Sequence, residues 1–137
     1  MRIVLDNSVT LGWFHPQQVT EYAEAVLAGM GVNEWLVPGH WPLELGNSLW
    51  QLERRKRMVR ERRLTAIHEA LQLPITVLPV RFDLLRLSEL AEQHDLTTYD
   101  AAYLDCAMRN NARLATQDAA LKKAAQSLGC WFDTKSL

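Results

Sequence analysis

Five short stretches of the chain, residues 3–5, 35–37, 75–78, 113–115 and 130–132, are mostly apolar without the alternation of a half-exposed strand. Strands without alternation are buried on both faces, and such strands belong to parallel sheets covered by helices. Between them the apolar residues recur at helical spacing. Val19, Tyr22, Ala23, Val26, Leu27 and Met30 follow an i, i+3, i+4, i+7 pattern that ends near Gly29 and Gly31. A helix is predicted from about residue 41 toward 57, with Pro42 in its first turn. Leu64, Ile67, His68 and Leu71 mark another, and a leucine-rich helix runs from Phe82 and Leu85 to Leu90 and Ala91. Thr98 is read as the cap of a helix over residues 99–110. Leu121, Ala124, Ala125 and Leu128 define the last helix, stopped by Gly129.

This alternation predicts an α/β class: a three-layer α/β/α sandwich with a central parallel sheet of about five strands. With 137 residues the chain has the size of one domain and needs no staples to bury a core. In such sheets the functional crevice lies outside the carboxyl ends of the strands. Four acids fall at that end. Asp6 directly follows the first strand, and Glu44 sits in the first turn of the helix after the second. Asp100 opens the helix before the fourth strand, and Asp118 lies three residues beyond that strand, at the next helix start.

Taken singly, each acid has an ordinary alternative. Asp6, Asp100 and Asp118 could serve as caps or first-turn carboxylates, and Glu44 as a surface helix residue. Placed together they repel, and a hard divalent cation removes the conflict. An oxygen-only set suits Mg²⁺ or Mn²⁺ rather than zinc. His15, His40, His68 and His94 are scattered and are read as ordinary histidines. A metal-bound carboxylate cluster fits phosphodiester hydrolysis by an activated water, with one ion or with a second about 3.5–4 Å away.

The residues also carry a resemblance. The run Val4-Leu5-Asp6-Asn7-Ser8-Val9, followed by Gly12-Trp13-Phe14, resembles the opening of VapC-type PIN-domain toxins. Residues 41–49, with Glu44 and Asn47 three apart, resemble their second motif. Residues 96–104, around Tyr99-Asp100-Ala101-Ala102-Tyr103, resemble the third, and residues 114–118 leading into Leu121 resemble the fourth. The motifs occur in family order. The resemblance implies a single PIN domain over residues 1–137, with a central parallel sheet and helices on both sides. It implies a Mg²⁺- or Mn²⁺-dependent endoribonuclease, the toxin of a toxin–antitoxin pair. Asp6 and Asp100 would be direct metal ligands, Asp118 a ligand or water holder, and Glu44 a ligand directly or through water. Ser8, Asn47 and Thr116 match supporting polar positions, whereas Asn7 departs from the small residue common after the first acid. The resemblance further implies a homodimer and a small antitoxin partner.

Charge distribution adds a second candidate surface. The net charge is −1, but residues 54–63 hold seven of the fifteen Lys and Arg and one of the sixteen Asp and Glu. The remainder is therefore strongly acidic. Arg54, Arg55, Lys56, Arg57, Arg60, Arg62 and Arg63 are candidates to contact RNA, an antitoxin or a second subunit, against the alternative of a solvated helical hairpin. Of the five tryptophans, Trp35, Trp41, Trp50 and Trp131 are read as packing residues. Trp13 with Phe14 follows the first acid, so contact with RNA at the rim is weighed there against packing, with packing the favoured reading. Cys106 and Cys130 form no disulfide framework and are expected as buried thiols in a reducing compartment. The N-terminus enters a strand without a signal peptide's apolar region, and no stretch has the length of a membrane span, so a cytoplasmic protein is expected.

Two other readings are weighed. One is a PIN fold that binds RNA or a partner without cutting, against which all four acids argue. The other is an aspartyl-phosphate phosphatase, which wants a second Asp two residues after the first, where Ser8 stands.

Overall fold

A computed structural model describes residues 1–136. Its elements are β1 (Arg2–Leu5), α1 (Asn7–Phe14), α2 (Glu21–Ala28), β2 (Glu34–Val37), α3 (Trp41–Arg54), α4 (Arg60–Gln72), β3 (Ile75–Val77), α5 (Leu84–His94), α6 (Thr98–Arg109), β4 (Arg113–Ala115) and α7 (Ala119–Ser127), followed by a 3₁₀ turn at Thr134–Ser136. The four strands are parallel in the order β3-β2-β1-β4. Ile3, Val4 and Leu5 are fully buried, as the lack of alternation required.

The chain builds outward from β1 through β2 to β3, then returns to place β4 on the other side of β1. Crossovers between parallel strands are right-handed. The helices before the reversal therefore lie on one face and those after it on the other. The packing agrees: α1 contacts α2 and α3, and α3 contacts α4, while α6 packs on α5 and α7. The result is an α/β sandwich whose strand order reverses between β1 and β4. That reversal opens a crevice at the carboxyl ends of these two strands.

Three expectations are corrected. The predicted fifth strand at residues 130–132 makes a single bridge, between Leu114 and Trp131, so the sheet has four strands. The Phe132 carbonyl accepts from the Tyr22 hydroxyl at 2.6 Å. The cap of α6 is Thr97, whose hydroxyl accepts from Asp100 N at 3.1 Å; Thr98 is the first helical residue. The helix from residue 41 ends at Arg54, where Lys56 takes a left-handed φ of 59° and the chain turns into α4.

Helix α1 escaped the sequence pattern because Val9, Thr10, Gly12 and Phe14 are buried on several sides, leaving little amphipathicity. Gly12 has a steric role. A Cβ there would lie 2.9 Å from the Gln18 carbonyl oxygen, so glycine lets the loop after α1 fold back over the helix. Half-buried Trp13 packs its ring 5.1 Å from that of buried Trp35 and donates to the Ala23 carbonyl at 2.8 Å, so it packs against the core. Cys106 and Cys130 are free thiols, Cys106 buried and Cys130 half-buried. Among the described residues no helix is long and apolar enough to cross a membrane.

Candidate active site

Asp6 ends β1 at the strand reversal and is 4% exposed. It occupies the N-cap position of α1, yet its side chain caps nothing. Instead Oδ2 accepts from the Ser8 hydroxyl at 2.7 Å and the Thr116 hydroxyl at 2.8 Å. Both hydroxyls land on one oxygen, leaving Oδ1 without a hydrogen bond. Desolvation pushes the Asp6 carboxyl up to about 6 despite the two hydroxyls, and the charges of Asp100 and Glu44 add to the rise. Ser8 Oγ in turn accepts from Gln117 N at 3.0 Å, and Thr116 Oγ1 from Asp118 N at 3.0 Å. The ends of β1 and β4 are thus laced together through the hydroxyls that hold Asp6.

Asp100 lies in the first turn of α6, half-buried. Desolvation raises its carboxyl above the usual range, helped by the charges of Asp118 and Glu44. Asp118 caps α7: its Oδ2 accepts from Leu121 N at 2.9 Å, so the capping role proposed from sequence holds and occupies one oxygen. Glu44 sits in the first turn of α3, with Oε1 2.8 Å from His40 Nε2. That nitrogen is also 3.1 Å from the Tyr99 carbonyl oxygen. Tyr103 is fully buried near the same charges; desolvation first, then Asp6 and Glu44, holds its hydroxyl protonated.

All four acids line one cavity of about 540 Å³, together with Ser8 and Gln117. Thr116 lies buried beneath Asp6. Asn47 is exposed on α3 and makes no hydrogen bond to an acid; the polar link from that helix is Ser48, whose Oγ accepts from Asn7 Nδ2 at 2.9 Å. Residues 54–63 are not in this cavity. Arg54 is ten residues beyond Glu44 along α3, about 15 Å at helical rise. Arg54, Arg55, Lys56, Arg57 and Arg60 are exposed, with no acidic partner in ion-pair distance among the described residues. Arg62 donates to the Phe14 carbonyl at 3.0 Å and pairs with Glu69 at 3.3 Å. Arg63 pairs with Glu53 at 2.6 Å and lies over the Trp50 ring.

Sequence reasoning missed His40 and Gln117. His40 left a usable signal, since it stands four residues before Glu44 and a helix brings such pairs together. Gln117 left none. Its Nε2 donates to the Ser8 carbonyl at 3.0 Å and its Oε1 accepts from the Thr20 hydroxyl, contacts that join residues about a hundred positions apart.

The donor set suits a hard cation: every candidate ligand atom is a carboxylate oxygen, and Asp6 Oδ1 is unengaged. Among the described residues, however, no three acidic, imidazole or thiol groups stand close enough to clasp an ion.

The fold resembles solved structures along nearly its whole length. PAE2754 from Pyrobaculum aerophilum is 21% identical with a TM-score of 0.68, over 99% of this chain and 91% of that one. FitAcB from Neisseria gonorrhoeae is 18% identical with a TM-score of 0.65, over 98% of this chain and 99% of that one. No curated protein matches the sequence. The PIN domain family matches residues 3–127, a span that holds all four strand ends and all four acids, and the chain belongs to that family.

Proposed function

We propose that the protein is a divalent-metal-dependent endoribonuclease and the toxin of a toxin–antitoxin pair. PIN domains are in general nucleases. The observation that carries the reading here is Asp6: a carboxylate buried at the strand reversal, oriented by two hydroxyls and facing three further acids. Burying the Asp6 carboxylate beside further acids destabilises the fold unless a cation neutralises it. Mg²⁺ or Mn²⁺ would be held by Asp6 and Asp100, with Asp118 and Glu44 completing the set directly or through water. When bound, the ion supplies positive charge that acidifies a water and stabilises the oxygen leaving the phosphate. The chain's own part is orientation. Ser8 and Thr116 fix Asp6, the α7 N-terminus fixes Asp118, and His40 stands 2.8 Å from Glu44.

The exposed basic residues 54–57 and 60 would take the RNA backbone or an antitoxin. The antitoxin and the homodimer rest on the resemblance to VapC-type toxins. A second reading is a PIN fold that binds RNA or a partner without cutting; among the described residues no three acidic, imidazole or thiol groups stand close enough to clasp an ion. Incubating the pure protein with mixed RNA and Mn²⁺ or Mg²⁺, then sequencing the ends, decides between them. Internal cleavage that stops with EDTA supports the nuclease. Intact RNA across the panel supports the binding module.

A further inference from the structure

We propose that a cavity of about 680 Å³ beside the acid crevice is a nucleobase subsite, where a base of the single-stranded substrate stacks on Trp131 and displaces Lys122. The inference rests on the nuclease reading above. The two cavities share Thr20 and Gln117 as a common wall, so a strand whose phosphate lies at the acids reaches this cavity with its next nucleotide.

Trp131 packs against the core and also lines the cavity. Its ring is stacked with Tyr22 at 5.5 Å and 9°, and its Nε1 donates to the Thr116 carbonyl at 3.4 Å. Thr116 is the residue whose hydroxyl holds Asp6, so the platform and the first acid share one support. Within the cavity, what lies over the ring is the Lys122 ammonium, 4.3 Å from its centroid. A lysine head is a weak cover. A cation on an exposed aromatic face contributes about two- to five-fold in affinity, whereas a stacked base contributes roughly five- to 150-fold. The base therefore wins the face, and Lys122, on its flexible stem, is freed to meet the adjoining phosphate.

Charge favours a base over a phosphate here. Lys122 and Lys135 are matched by Glu21 and Asp133, so the lining has no net charge to attract an anion. The simple alternative is that Tyr22, Trp131 and Lys122 only clamp the end of the chain onto α2.

The test measures binding of a short, labelled single-stranded RNA with Mn²⁺ in the Asp100→Asn background, which the nuclease reading makes silent in cleavage. An abasic nucleotide is moved through the RNA one position at a time. The expected result is one position, beside the cleavage site, where base removal weakens binding about ten-fold. Trp131→Leu should weaken the intact RNA by a similar factor and be blind to that abasic position, while Trp131→Phe keeps the sensitivity. A flat abasic profile in the background protein overturns the subsite without needing a Trp131 variant. Equal sensitivity in the background protein and a folded Trp131→Leu protein also overturns it. If the wild-type protein cuts no RNA, the nuclease reading falls and the subsite falls with it. If it cuts and the profile is flat, the subsite alone falls.

Discussion

The acid crevice and the basic hairpin between α3 and α4 are both clusters of like charge, yet the fold treats them in opposite ways. In the crevice Asp6 is almost wholly buried and pinned by two hydroxyls, and its carboxyl is driven up to about 6. In the hairpin Arg54, Arg55, Lys56, Arg57 and Arg60 stand in water. There solvent and salt screen their repulsion over about 10 Å or less. Where the hairpin does order a cation, it supplies partners: Glu53 for Arg63, and Glu69 with the Phe14 carbonyl for Arg62. The burial of Asp6, rather than charge count, thus separates the cluster that needs a counter-ion from the one that can wait for a ligand.

The largest expected effect tests the crevice. Asp6→Asn or Asp100→Asn should lower RNA cleavage by about a thousand-fold or more, since metal charge supplies several kcal/mol of barrier lowering. Turnover is measured beside circular dichroism, and a folded variant with wild-type turnover would break the assignment.

Next comes the energetic side of the same contrast. A carboxyl raised from 3.8 to about 6 favours its protonated form in the fold. Its contribution is fully present below about pH 4 and is lost as pH rises through about 6. In metal-free protein at pH 7 this loss is on the order of 3 kcal/mol. Asp6→Asn should therefore raise metal-free stability at pH 7, by up to that amount, and flatten its pH dependence between 4 and 6, as read from urea unfolding. Mn²⁺ at about 100 times its Kd should add about 2.7 kcal/mol to the wild type and much less to the variant. A melting temperature unmoved by Mn²⁺ would count against the site.

The hairpin should respond in salt dependence rather than in stability. Replacing Arg55 and Arg60 by Gln should flatten the log–log salt slope of single-stranded RNA binding by about 1.4, if both meet phosphate. An unchanged slope with loss of dimerisation or antitoxin binding would reassign the surface to protein contact; sedimentation of the same variant supplies that comparison. The smallest effect is expected at the ordered pair. Arg63→Gln removes a partly exposed ion pair and its place over Trp50, and should cost roughly 1 kcal/mol or less in unfolding free energy.

Much of this architecture was legible beforehand. Ile3, Val4 and Leu5, or Trp35, Leu36 and Val37, are apolar in succession because both faces of a central parallel strand are covered. That pattern alone placed Asp6, Glu44, Asp100 and Asp118 at one end of the sheet, and all four line one cavity. What the pattern missed shares a cause. Residues 130–132 have the composition of a strand, but they bridge β4 at one position and their last carbonyl meets a tyrosine from α2. Trp13 follows an acid in sequence, and only the fold set its ring against Trp35 of β2.

What the sequence determined by itself is what depends on neighbours a few residues away: strand and helix type, the strand ends that carry the acids, and the run of cations at residues 54–63. The tertiary structure alone decided which partners those residues meet. It set Thr116 under Asp6 across 110 positions, Tyr22 against Trp131, and Arg62 on the end of α1. Such pairings depend on how β4 returns beside β1 and how the helices pack, and contacts between distant residues leave no periodic trace in the chain.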